Sequence, residues 1–217
     1  MSEQLAISIV DVRPERYAAT PTLVFRMRLD DTAGEMFHSL VLRCQIRIEP
    51  QRRRYSPAEE ARLLELFGET PRWGDTLKPF LWSHVSTVVP GFAGKTEADL
   101  PVACSYDLEI AAAKYLHSLD DGEIPLVFLF SGTIFAKAND GGLKVVPVSW
   151  NKDASYRMPA RIWRALMDIY FPNAGWLRLG RDTLDRLTRF KAEHAIASWD
   201  HVFDALLEQA KAKETAA

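Results

Sequence analysis

Alternation of apolar and polar residues, repeated in one segment after another, constrains this chain more than any other feature. In PTLVFRMRLDD, Leu23, Phe25, Met27 and Leu29 fall on one side, with Val24, Arg26 and Arg28 on the other. FHSLVLRCQIRIEP repeats the pattern, setting Leu40, Leu42, Cys44, Ile46 and Ile48 against Val41, Arg43, Gln45 and Arg47. Successive side chains of a strand point to opposite faces, so a period of two predicts strands with one buried and one wet face. LAISIVDV supplies an earlier strand through Leu5, Ile7 and Ile9; LPVACSYDLEI supplies a later one with Val102, Cys104, Tyr106, Leu108 and Ile110 inward. A further strand is predicted over Leu81 to Val89, between Pro79 and Pro90. IPLVFLFSGTIF, Ile124 to Phe135, is apolar in both alternating sets and predicts a strand covered on both faces. Its Ser131 and Gly132 predict a bulge or a close backbone approach. After the turn KANDGG, LKVVPVSW returns with Pro147, which suits an edge strand.

Helical signals are fewer and lie mostly late. Pro50 ends the third strand; Ser56, Pro57 and Glu59 form a capping box with proline at the first helical position, and Gly68 closes the helix behind Leu63, Leu66 and Phe67. AAAKYLHSLDDGEIP reads as a short helical turn or loop, reversed by DDGE. From Tyr156 the period becomes helical: Ile162, Leu166 and Ile169 form a stripe beside Trp163 and Tyr170, with Pro159 in the first turn and Pro172 as the stop. A second late helix is predicted from about Asp182 to His194 with Leu184, Leu187 and Phe190, and a third from Ser198 with Val202, Phe203, Leu206 and Leu207.

Strands first and helices later predict an α+β fold, mainly an antiparallel β-sandwich of about seven strands with one inserted helix and a C-terminal helical segment packed on the sheet. The sandwich is assigned to residues 1–155 and the helical segment to 156–217, together one globular unit. The late helices are expected to cover the second face of the Ile124 strand.

Composition narrows the function. With 27 basic against 29 acidic residues the net charge is −2, so no global field draws the chain to nucleic acid. The longest apolar run is far short of the ~20 residues a membrane helix needs, and the N-terminus lacks a secretory pattern, which predicts a cytoplasmic protein. Cys44 and Cys104 stand 60 positions apart without a CxxC motif and read as free core thiols. Phosphate loops, dinucleotide fingerprints and nucleophile elbows are absent from the sequence. No catalytic residue, cofactor site or metal ligand is assigned.

Two groups of residues are candidates for a partner or ligand surface. Arg52, Arg53 and Arg54 sit in the strand-to-helix connection, where solvated charge is the ordinary expectation and a partner-binding patch the functional one. Trp73, Trp82 and His84 lie in the irregular aromatic stretch RWGDTLKPFLWSHVSTVVPGF; the two tryptophans are the ones expected to be displayed, whereas Trp150 and Trp163 read as packing residues. His84 has no second ligand at metal spacing. Asp107 with Glu109 reads as a wet strand face, and His117 with Asp120 and Asp121 as a turn.

RIEPQRRRYSPAEEARLLELFG, WGDTLKPFLWSHV and YDLEIAAAKYLHSLDDGEIPLVFLFSGTIF resemble a bacterial family of unknown function associated with nickel-iron hydrogenase gene clusters. The resemblance implies a non-enzymatic accessory protein, a partner of hydrogenase subunits or maturation proteins in assembly or scaffolding, with no hydrogen chemistry of its own. Two isolated cysteines cannot supply the paired thiolates that hold a nickel-iron centre or an iron–sulfur cluster. The rival expectation is a small-ligand-binding or hydrolytic β-sandwich with a cleft near Trp82 and His84.

Overall fold

A computed structural model describes residues 4–105, 107, 110–138, 142–175 and 177–215. The chain divides into two compact units, Met1–Trp176 and Leu177–Ala217. The first unit is a sandwich of two antiparallel sheets. One sheet has the order β1 (Leu5–Glu15), β2 (Thr22–Asp31), β5 (Lys95–Ala103). The other runs β4 (Phe80–Ala93), β3 (Met36–Ile48), β6 (Glu123–Lys137). Beyond β6, two strands share one neighbour: β8 (Asp153–Pro159) pairs with Glu123–Leu129, and β7 (Leu143–Pro147) with Thr133–Lys137.

The predicted inward residues Leu23, Phe25, Leu42, Ile46, Val102 and Phe128 all lie in the core, and Cys44 and Cys104 are free and buried. Tyr106, Leu108 and Glu109 are outside the described residues. The strand expected over Leu100 to Ile110 lies earlier, as β5, and pairs with β2 along Lys95–Ala103. Its inward positions begin with Thr96 and Ala98, its outer ones carry Glu97 and Asp99, and Pro101 is tolerated because β5 is an edge strand. Small inward residues and acidic outer ones gave no apolar signal to read.

Gly132 marks the place where β6 changes neighbours. Its φ is 150°, and a Cβ there would stand 2.1 Å from the carbonyl oxygen of Val41 on β3, so the close approach expected of Ser131–Gly132 is real and only glycine permits it. Phe130 N–H then donates to Lys152 O, and Val148 N–H to Gly132 O, at the junction between β8 and β7.

Helices close the sandwich at an end and along a flank. α1 (Pro57–Phe67) has the predicted capping box, Pro57 in its first turn and Gly68 at its C-cap with φ 72°. With the short α2 (Trp73–Thr76) and α3 (Ala111–His117) it gathers an aromatic cluster over one end of the core. Tyr55 meets Trp73 with ring centroids 5.2 Å apart, and Phe80 meets Tyr115 at 5.6 Å, both edge to face. The helical period expected from Tyr156 begins later: Tyr156 and Met158 belong to β8, opposite Leu126 and Ile124, and α4 (Ala160–Tyr170) starts after Pro159. α4 packs on β1, β2 and β8, burying Trp163 and Leu166. It occupies this flank and not the second face of β6, where Val127, Leu129 and Phe135 remain half-buried.

In the second unit, α5 (Arg181–Glu193) and α6 (Trp199–Thr215) pack on each other. Ser198 caps α6 as predicted, its Oγ accepting the His201 N–H. Among the described residues no helix is long and apolar enough to cross a membrane.

Candidate functional site

The three arginines of the β3–α1 connection have three different fates. The side chain of Arg53 is buried, and with Glu59 it forms an ion pair at 2.7 Å whose side chains keep 7% and 5% of their exposure. Its Nη2 also donates to Asp121 O at 3.2 Å and its Nε to Arg54 O, while the guanidinium lies 4.9 Å from the Tyr55 ring centre. Glu59 accepts in addition from the N–H groups of Ser56 and Asp120. The expected solvated charge is therefore, at this position, a clamp joining the connection, the first turn of α1 and the Asp120–Gly122 reversal. The Asp120 carboxylate pairs with Arg62 at 2.6 Å, so the DDG segment is a structural turn as read. Arg52 is exposed and pairs with Glu49 at 2.9 Å. Arg54 is exposed, with no ion pair among the described residues.

These arginines line an open basin of about 570 Å³, together with Gln51, Gly122, Glu123 and Arg157. The register of β8 brings Arg157 there, opposite Pro125 and two residues from the Glu123–Pro159 pair. Nothing in the local sequence of β8 marks Arg157 as a neighbour of Arg54.

Trp73, Trp82 and His84 do not share a cleft. The Trp73 indole N–H donates to Gly68 O at 2.9 Å and its ring packs into the aromatic end cluster. A register shift at Ile46/Arg47 turns Trp82 inward, where its ring meets Phe25 at 6.1 Å and Trp163 at 6.5 Å. His84 faces outward, its Nε2 3.0 Å from Gln45 Nε2, beside a depression of about 310 Å³ lined by Arg43, Gln45, Ser86, Leu129 and Ser131. Among the described residues the displayed tryptophans are others: Trp150, expected in the packing, is 93% exposed between β7 and β8, and Trp199 is also exposed. Trp150 ends an apolar run, but the chain turns there and leaves it in solvent.

The outer faces of the two sheets differ in kind. On the three-stranded sheet, Arg13 and Arg26 bind Asp99, and Arg26 and Arg28 bind Glu97, in a cross-strand ladder. Hydrogen bonds from Arg13 and Arg26 hold the Asp99 carboxyl below its ordinary range, and those from Arg28 and Arg26 do the same for Glu97. This is a self-neutralised, solvated surface. On the five-stranded sheet, the cross-strand pairs Val41–Val88 and Phe135–Val145 adjoin, with Leu143 at the β7 edge. Val88, Val145 and Leu143 are 62%, 58% and 61% exposed. Arg43 and Arg47 on the same face make no ion pair among the described residues.

Cys44 is among the residues lining the depression beside His84, yet both it and Cys104 are buried and free. Burial pushes both thiols up to about 12, which keeps them protonated and non-nucleophilic near neutrality. Among the described residues no group of three or more His, Cys, Asp or Glu side chains is placed to hold a metal ion.

Fold and surface together define an α+β sandwich with helix-closed end and flank, one charge-laddered face and one face mixing apolar side chains with arginine. The chain belongs to a family of unknown function, DUF6084, whose model matches residues 2–215. No curated protein matches it. Among solved structures it is similar to a putative late embryogenesis abundant protein, at 13% identity and a TM-score of 0.31 over 71% of each chain. It is also similar to a β-glucosidase from Kluyveromyces marxianus, at 10% identity and a TM-score of 0.23, covering 71% of this chain and 15% of that one. Scores at this level do not define a shared fold. The family description names no activity and no partner.

Proposed function

We propose that this chain is a non-enzymatic accessory protein that works by binding other proteins, with nickel-iron hydrogenase subunits or maturation proteins as the partners its sequence resemblance suggests. The observation that carries the reading is the outer face of the five-stranded sheet, where Val88 on β4 and Val145 and Leu143 on β7 are exposed, with Arg43 and, further along, Arg47 on β3. Contiguous exposed apolar surface is costly in water and marks a contact face, and arginine is the charged residue best suited to such a face. The opposite sheet, built on the same backbone scheme, pairs off its charges in a ladder, so exposure of apolar side chains is not a general property of this fold.

The test is affinity purification of the tagged chain from its native host, with hydrogenase large and small subunits identified by mass spectrometry. Recovery with the wild type and loss with Val88→Asp/Val145→Asp, at unchanged melting behaviour, is the expected result. Absence of those subunits from the wild-type eluate removes the hydrogenase partner; equal recovery with the variant removes the sheet face.

A second reading has one observation in its favour: the depression beside His84 is large enough for a small ligand and carries polar groups from three strands. A small-ligand-binding or hydrolytic sandwich is expected to purify with a bound molecule that His84→Ala releases, detectable by native mass spectrometry.

A further inference from the structure

We propose that the arginine basin between the β3–α1 connection and β8 is the docking site for an acidic, carboxylate-bearing segment of a partner protein. This rests on the reading of the chain as an interaction protein. Four guanidinium groups, of Arg52, Arg53, Arg54 and Arg157, and one carboxylate, of Glu123, line the basin. Two of the arginines are matched from outside its lining: Arg53 by buried Glu59 at 2.7 Å and Arg52 by Glu49 at 2.9 Å. Arg54 has no ion pair among the described residues, and Arg157 reaches Glu123 only at 3.8 Å. The basin therefore holds one guanidinium fork with no ion pair among the described residues, that of Arg54, and a second, that of Arg157, held only by its long contact with Glu123 and able to exchange it for an incoming anion. In the same lining, Nη1 of Arg53 is buried with no acceptor among the described residues.

The chemistry selects the carboxylate. A guanidinium fork binds a carboxylate through two parallel N–H···O bonds, and two such forks accept two acidic side chains along one extended segment. Glu123 in the lining opposes a compact dianion such as a phosphate more strongly than it opposes single carboxylates spaced apart, because repulsion grows with the ligand's charge. The basin is broad and open rather than a closed pocket, which admits a peptide segment lying across it. Its scaffold is stiff: the Arg53–Glu59 clamp fixes one wall and the β6–β8 pairing fixes the other. The backbone carrying Arg54 and Arg157 is thereby fixed, which confines the ordering cost of binding to their exposed side chains.

The experiment measures fluorescence anisotropy of a fluorescein-labelled hexaglutamate peptide titrated with the full-length protein at low and at physiological salt. Three proteins are compared: wild type, Arg54→Gln/Arg157→Gln, and Arg43→Gln/Arg47→Gln, each checked for an unchanged thermal melt. The expected result is saturable, salt-sensitive binding by the wild type, weakened roughly tenfold by the basin variant and unaltered by the sheet-face variant. Equal binding by wild type and basin variant overturns the assignment, as does loss that follows Arg43 and Arg47 instead. Pyrophosphate is added as a competitor; if it binds the basin more tightly than the peptide, the site takes phosphate and the carboxylate assignment fails. Recovery of hydrogenase subunits by the basin variant at wild-type levels, with no peptide binding by any protein, would discard this site while leaving the accessory function standing.

Discussion

Arg53 and Glu59 show how much one residue's environment decides. Buried together, each offsets part of the other's desolvation cost, and Glu59 completes its hydrogen bonds with the Ser56 and Asp120 N–H groups. Removing one partner leaves a buried charge without its counter-ion, at a cost of about 3–5 kcal/mol. Arg53→Met is therefore expected to lower the urea midpoint sharply. The double variant Arg53→Met/Glu59→Leu is expected to regain part of the loss, since a buried ion pair replaced as a whole is often neutral. Equal midpoints for the single and double variants would show that the pair is not the source of the effect.

The thiols make a second prediction at this scale. Burial raises Cys44 and Cys104 from 9.0 to about 12, so the folded protein holds those protons more tightly than the unfolded chain. A raised acid contributes stability that is complete below the unfolded value, near 9, and is lost as pH rises toward the folded value. The expected outcome is two thiols inert to a thiol-specific colour reagent at pH 8 until denaturant is added, and a melting temperature that falls from pH 9 upward. Cys44→Ser/Cys104→Ser removes this part of the alkaline fall. The carboxylates of the outer ladder act at the other end: the values of Asp99 and Glu97 are depressed, so their contribution is present above the ordinary range near 4 and lost as pH drops below it. Asp99→Asn is expected to flatten the acid limb of the melting profile between about pH 4.5 and pH 2.

At the scale of elements, β6 organises the five-stranded sheet because it exchanges one neighbour for another at Gly132. Alanine there meets the Val41 carbonyl and a φ that side chains rarely adopt, so β3 and β6 must separate to admit it. Gly132→Ala is expected to yield insoluble or dye-binding protein, whereas Gly180→Ala, with open space around its Cβ position, is expected to be silent. Comparison of soluble yield and melting temperature checks both. α4 is the second such element. Trp163, 1% exposed and in contact range of Trp82, fills the flank, and its replacement by alanine is expected to cost about 3–5 kcal/mol.

For the whole molecule, the position of the core predicts which truncations fold. Among the described residues the buried members of the main hydrophobic cluster lie at or before Met167, with Tyr170 and Phe171 packed at its margin, while Val202, 0% exposed, is buried outside that cluster. A 1–150 fragment loses β8 and α4, unpairing half of β6 and uncovering Trp82 and Phe25, and is expected to be insoluble. A 1–176 fragment keeps the entire core cluster and is expected to unfold cooperatively in urea, with native-like near-ultraviolet dichroism. Failure of the 1–176 fragment to fold would make Leu177–Ala217 an integral part of the sandwich's stability.

What the sequence determined by itself is what neighbours along the chain encode. Period-two patterning placed β1 to β3 and put Cys44 in register with core residues, a run apolar in both alternating sets marked β6, and the Ser56–Glu59 spacing defined the start of α1. Only the tertiary structure decided the rest, because the deciding partner was far away in sequence. Arg53 is buried by an acceptor 68 positions on, and Tyr55 joins the aromatic end through Tyr115, 60 positions on. Trp82 turns inward because of a shift in its pairing with β3, and Tyr156 is in a strand because β6 offers it an edge. The acidic strand β5 gains its place from β2, whose arginines answer Glu97 and Asp99. Local periodicity specifies which side chains share a face; which faces meet, and which charges find partners, depends on contacts that only the folded chain creates.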